Sequence, residues 1–218
     1  MHSVILQGEF CPVRVGKILC LARNYVAHAK ELGNEVPAEP VLFSKPASSI
    51  VGNMGSVVIP ACSQDCHHEV ELAVLIGAVG KNVTPCHAME LVRGYAVAID
   101  MTLRDIQTQL KSKGYPWDLA KGFDTSCPLS EFVPTAAVSD PHKLKLGLEV
   151  NTVMRQSGNT ECMVHRIPDI IAFISRVFTL EPGDIILTGT PAGVGPVVPG
   201  DHMRAWIENV GTLEVQVQ

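Results

Sequence analysis

Residues 67–76 read HHEVELAVLI, and no other run limits the possible folds of this chain as tightly. Val70, Leu72, Val74 and Ile76 take alternate positions, and Glu69 and Glu71 begin the other set. Alternate residues of a strand face opposite ways, so one face here is wholly apolar. The other face opens with two carboxylates roughly 7 Å apart at the backbone. The apolar face needs a second layer to cover it, and that contact would hold the acids rigidly. Carboxylates so close repel one another, and burial sharpens the repulsion. A proton, a basic side chain or a cation relieves it. A solvated strand edge is the plainer alternative, and spacing alone favours it. The strand is expected to run over 67–79.

The rest of the chain supplies the layers. Short strands are expected over 15–22, 41–45, 56–60, 93–101, 143–150 and 185–188, with a C-terminal hairpin around Asn209-Val-Gly211. Leu144, Leu146, Leu148 and Val150 alternate on one face. Helices are expected near 25–32, with Asn24 as N-cap and Gly33 as C-cap, near 84–92, from Leu103 to Gly114, and after Pro168. In the last of these, Ile171, Ile174, Val177 and Phe178 form an apolar stripe. Strands outnumber helices and do not alternate with them, so the fold class is α+β, dominated by sheet. A short N-terminal segment, residues 1–16, precedes one domain over 17–218. At 218 residues the chain can bury a substantial core.

A net charge of −5 with no basic patch argues against nucleic acid. Every apolar run stops well short of the roughly 20 residues that cross a membrane. No signal peptide is visible at the N-terminus, so a cytoplasmic protein is expected. Most of the seven cysteines sit in apolar surroundings, as reduced buried thiols would. Cys62-x-x-x-Cys66-His67-His68 holds four zinc-type donors, but neighbouring histidines on a strand diverge and no second cysteine pair completes a site.

A third acid bears on the glutamate pair. GYAVAIDM is an apolar strand that ends in Asp100. Glu69, Glu71 and Asp100 together would make a hard-oxygen site for Mg²⁺ or Mn²⁺; a helix cap is the other use of Asp100. His28 and Glu31, three apart on one helix, form either a surface pair or a general base oriented by a carboxylate. Lys121 lies in the loop-like LAKGFDTSCPL, and Arg104 and Gln107 open the helix after Asp100. LTGTPAGVGP, residues 187–196, lacks the lysine of a phosphate loop, but its N–H groups and threonines suit a carboxylate. There is no Gly-x-Ser-x-Gly elbow for a serine hydrolase.

HHEVELAV, AIDMTLRD, KGFDTSCPL and LTGTPAGVGP, in that order, resemble the fumarylacetoacetate hydrolase family from about Lys17 onward. RNYVAHAKELG and PVLFSKP resemble its acylpyruvate hydrolase branch, whose members also decarboxylate oxaloacetate. The resemblance implies a mixed β-sandwich roll, a homodimer, a 2-oxo acid substrate, Mg²⁺ or Mn²⁺ and a place in aromatic catabolism. It implies that Glu69, Glu71 and Asp100 are the metal ligands. His28 and Glu31 would ride a lid and activate water, Lys121 would be catalytic, and Arg23, Arg104, Gln107 and Thr190 would hold substrate. One departure is Asn151-Thr152 where Asn-Gly is common: threonine resists positive φ, so a different hairpin turn is expected there.

The implied reaction is hydrolysis of a C–C bond in an acylpyruvate. Oxaloacetate decarboxylation shares the enolate but needs no water, and a non-catalytic carboxylate-binding protein is a third alternative. The preferred acyl group and the role of His67 stay open.

Overall fold

The computed structural model describes residues 2–33 and 35–218. Two sheets build the core. In the first, a mixed six-stranded sheet, the strand order is Val133–Pro134, Val92–Ile99, Val70–Ile76, Ile185–Leu187, Ile18–Ala22 and Val41–Lys45. Its one parallel pair is Ile185–Leu187 with Ile18–Ala22. The second sheet has five strands, ordered Val153–Asn159, Lys145–Val150, His202–Ile207, Gly211–Val217 and Ser56–Val57.

Val70–Ile76 is buried along its whole length. Val70, Leu72, Val74 and Ile76 enter the larger core, where they join Leu146, Leu148, Met203, Ala205 and Val215 of the second sheet. Ala73 and Leu75 point into a second core with Ile18, Cys20, Ala96, Ala98, Phe132 and Ile185. Val4, Leu6 and Val15, from the first 16 residues, are buried in that second core. Each large aliphatic side chain so buried contributes about 1.5–3 kcal/mol, which is why the central strands tolerate acids only at their ends.

The expected 67–79 strand is two strands. Cys66–His68 pairs with Thr102–Leu103 and Gly195–Val197, whereas Val70–Ile76 belongs to the central sheet. The chain turns between sheets at Glu69. Its partner turns in step: Val70 pairs with Ile99, His67 pairs with Thr102, and the Asp100 N–H donates to the Glu69 carbonyl at 2.8 Å. Both acids therefore stand at one corner where the ladder is interrupted.

Other expectations shift for identifiable reasons. The helix Val26–Glu31 starts after Tyr25, not on an Asn24 cap. The buried Asn24 amide instead donates to the carbonyls of His165 and Thr188 and accepts from the His165 N–H. Gly33 takes φ +64 just beyond that helix, as its stop requires. Lys121 closes a short helix, Asp118–Lys121, and does not lie in a loop. In the helix Ile167–Val177 the buried face is Ile167, Ile170, Ile171 and Ile174; Val177 and Phe178 are exposed because the helix ends as the chain turns outward. Asn151 and Thr152 keep the two-residue turn with positive φ at both positions, 49° and 66°. The Asn151 amide, bonded to Asp201 and His202, holds threonine in a conformation it disfavours. Cys20, Cys66 and Cys127 are buried free thiols, but Cys11, Cys62, Cys86 and Cys162 are exposed. Among the described residues no helix is long and apolar enough to cross a membrane.

Candidate active site

Glu69, Glu71 and Asp100 offer carboxylate oxygens that all lie within 4.8 Å of one another, and all three residues are buried. Among the described residues this is the one acid, histidine or cysteine cluster with metal-ligand geometry. The Cys62–His68 run is no such cluster: Cys62 is exposed, His67 bonds Asp65 at 2.9 Å, and His68 bonds Gln156 at 3.0 Å.

The three acids are answered unequally. Glu69 pairs with Arg104 through one oxygen and with Lys121 through the other at 2.8 Å. Asp100 lies 2.6 Å from Lys121 and 2.8 Å from Lys45. Among the described residues, Glu71 receives only the Gly189 N–H, at 2.6 Å. Their proton affinities divide accordingly. Burial works to raise Glu69, but Lys121, Arg104 and His28 hold it well below the usual carboxylate range. Burial, Asp100 and Glu69 push Glu71 well above that range. Burial opposes the charge on Lys121, but Asp100 and Glu69 outweigh it and keep the ammonium protonated. Hard oxygens in close array, one of them without a counter-charge, are the donor set that Mg²⁺ or Mn²⁺ prefers. The site fits a divalent cation.

A narrow cleft opens beside the acids. Arg23, His28, Glu69, Glu71, Arg104, Gln107, Lys121 and Thr190 all line it. Arg104 and Gln107 share the first turn of the helix Arg104–Ser112, and Arg104 donates to the Gln107 side-chain oxygen at 2.8 Å. Arg23 reaches the cleft from a left-handed backbone, φ 60, a conformation that costs a non-glycine residue about 1–3 kcal/mol.

His28 is 5% exposed, and its Nδ1 lies 3.4 Å from Glu31 Oε2. Glu31 stands off the cleft wall and accepts the Gly193 N–H at 3.0 Å. Loop residues 188–195 thus direct one N–H at Glu71 and another at Glu31. The carboxylates that these N–H groups meet belong to the protein itself. Gly189 and Gly193 have φ of +94 and +96, and a Cβ at Gly193 would stand 2.2 Å from the Arg155 carbonyl, so side chains are excluded at both places.

Several neighbours escape sequence reading. Lys45 is 2% exposed and backs Asp100; the mark it leaves is a lysine at the end of the apolar strand VLFSK. Phe43, Lys111 and Trp117 line the cleft, with the Lys111 ammonium 5.2 Å above the Trp117 ring. Burial pulls Lys111 down, and Arg23, Arg104 and Lys121 pull it further, so four cations crowd one opening. His67 meets Asp65 and not the glutamates, whereas His68 is the histidine joined to the cleft wall, through Gln156 and Thr190.

Comparison with known proteins accords with this geometry. The profile of the fumarylacetoacetate (FAA) hydrolase C-terminal family matches residues 17–218. Oxaloacetate tautomerase FAHD1, mitochondrial, of Bos taurus is 48% identical over 201 residues, covering 92% of this chain and 91% of that protein. A Pyrococcus horikoshii protein is 47% identical over 219 residues, covering all of this chain and 95% of its own length. The crystal structure of fumarylpyruvate hydrolase from Pseudomonas aeruginosa in complex with Mn²⁺ and pyruvate superposes with a TM-score of 0.95 at 35% identity, covering 99% of this chain and 94% of that one. Profile, sequence and structure agree: this chain belongs to the fumarylacetoacetate hydrolase C-terminal family.

Proposed function

We propose that the protein hydrolyses the C–C bond of acylpyruvates, giving pyruvate and a carboxylic acid. One observation carries this reading: His28, with its carboxylate partner Glu31, lines the same cleft as the acid cluster. Decarboxylation needs no water and no proton abstraction and so has no use for such a base, whereas tautomerisation would use it at carbon 3. The similarity to fumarylpyruvate hydrolase supports it.

A divalent ion on Glu69, Glu71 and Asp100 would supply Lewis-acid polarisation of the substrate's 2-oxo group. The remaining work falls to the chain. Arg104, Gln107 and the Thr190 hydroxyl bind the carboxylate end of the 2-oxo acid. Glu31 orients His28, which takes a proton from water as the oxygen adds to the 4-carbonyl. The bond between carbons 3 and 4 then breaks, and its electrons pass to the 2-oxygen as a pyruvate enolate. Lys121, kept charged by its acidic neighbours, stabilises that enolate. Proton return to carbon 3 completes pyruvate. The cations Arg23 and Lys111, which form no ion pair among the described residues, line the cleft and suit a substrate with a second negative charge.

A second reading, action on oxaloacetate by decarboxylation or tautomerisation, is favoured by the 48% identity to oxaloacetate tautomerase. It uses Lys121 and the acid cluster in the same way and leaves His28 without a water to activate. The resemblance also leads us to expect a homodimer, which light scattering would report as twice the chain mass.

The test is a panel of acetyl-, fumaryl- and maleylpyruvate with oxaloacetate, in Mg²⁺ or Mn²⁺, with and without chelator. We expect chelator-sensitive release of pyruvate and carboxylic acid in equal amounts from at least one acylpyruvate. Turnover of oxaloacetate alone would replace the first reading with the second. No turnover of any member would remove both.

A further inference from the structure

Gln156 is fully buried in a strand, Val153–Asn159, whose neighbouring residues face solvent. A buried amide needs every polar position satisfied, and this one is. Its Oε1 accepts the Val70 N–H at 3.0 Å and the His68 Nδ1–H at 3.0 Å. Its Nε2 donates to Thr190 Oγ1 at 2.8 Å and to the Pro191 carbonyl at 3.0 Å. Val70 N can only donate and the Pro191 carbonyl can only accept, so the amide cannot be turned the other way. Val70 is the residue between Glu69 and Glu71, at the corner where the ladder breaks.

The bond to Thr190 has a chemical consequence. A hydroxyl that accepts from an amide N–H keeps its own proton for another acceptor. Thr190 is 2% exposed and lines the cleft. A carboxylate there can only accept, so a hydroxyl already committed as an acceptor to Gln156 meets it as a donor.

We infer that Gln156 is a positioning residue: it holds the Thr190 hydroxyl as a proton donor towards the substrate carboxylate and ties that donor to the corner bearing Glu69 and Glu71. The inference rests on the reading of the cleft as a 2-oxo acid site. It assigns work to a side chain that touches neither substrate nor ion.

A double-mutant cycle on the Mn²⁺-loaded protein tests it, with pyruvate as the probe and calorimetry as the readout. Gln156→Met keeps the shape and removes the amide. Thr190→Val removes the hydroxyl. Each single variant should weaken pyruvate binding about tenfold, the loss expected for one hydrogen bond to a charged group. The double variant should lose no more than the weaker-binding single, while Mn²⁺ affinity stays within about twofold, because the two changes delete one interaction. If the methionine variant fails to fold, Gln156→Glu carries the same test at a pH where its carboxyl is ionised: the carboxylate can still accept from Val70 but has no N–H or O–H to hold Thr190 as an acceptor. Additive losses, or unaltered pyruvate binding in the Gln156 variant, would overturn the inference. Failure of the unmodified, Mn²⁺-loaded protein to bind pyruvate would instead overturn the 2-oxo acid reading, and the inference with it.

Discussion

Of the three clustered acids, Glu71 is the one without a basic partner among the described residues. It is 1% exposed and has one N–H for a partner, and burial, Asp100 and Glu69 raise its proton affinity. A cation that binds here must displace that proton, so metal binding should strengthen as pH rises above the ordinary carboxylate range. The Tm gain on adding Mn²⁺ should therefore grow with pH. Glu71→Gln keeps an acceptor for Gly189 and removes the charge. Its metal-free Tm should equal or exceed that of the parent, and the Mn²⁺-induced gain, about 2.7 kcal/mol at one hundred times Kd, should vanish. A variant that loses stability without metal would contradict this assignment of Glu71. At this scale the acids were legible because a charge inside an apolar run stands out. Gln156 was not, because its partners Val70 and Thr190 lie 86 and 34 residues away. Its sequence surroundings, VMRQSGN, mark nothing.

Among the elements, the strands were the most readable and their ends the least. Alternation located Lys145–Val150 and the apolar half of Val70–Ile76, but it could not show that the chain leaves one sheet for another at Glu69. That corner depends on the paired turn at Asp100 and on the Gln156 amide, both remote in sequence. Asn24 reads as a cap from its position alone; its true partners, His165 and Thr188, come from the far end of the chain. The turn at Asn151-Thr152 errs the other way. Threonine's dislike of positive φ argued for a different geometry, yet Thr152 sits at φ 66. The mismatch should be measurable. Thr152→Gly should raise stability by about 1 kcal/mol, the left-handed penalty less the extra entropy that glycine loses on folding. Chemical denaturation reads this as a higher midpoint at unchanged slope. A lower midpoint would mean that the threonine hydroxyl, bonded to the Asn151 carbonyl, outweighs the strain.

For the whole molecule, the packed layers bury several imidazoles, and these titrate far from their solution values. His68 is pulled down to about 4, first by burial. Burial also lowers His67 and His142. The unfolded chain binds protons at these sites that the native protein refuses. Stability should be full above pH 6.5 and fall as pH drops from there to about 4 for His68, at about 1.4 kcal/mol per pH unit for each such group. Glu71 works in the opposite sense, so the Glu71→Gln background isolates the histidines. A flat stability profile between pH 6.5 and 4.5 in that variant would contradict the buried, neutral state of His68. The sheet-dominated α+β class was readable from the count of short apolar runs. The two-core arrangement was not, because a strand buried on both faces differs from a half-buried one only in what its partners cover.

The central claim is that this cleft activates water beside a metal-binding acid cluster, with His28 as the base. The most direct measurement compares parent and His28→Ala, both Mn²⁺-loaded, on acetylpyruvate and on oxaloacetate. The account predicts a fall of about 10²–10⁴-fold in acetylpyruvate hydrolysis, with Mn²⁺ affinity and any oxaloacetate decarboxylation retained. Unchanged acetylpyruvate hydrolysis in the variant would contradict it.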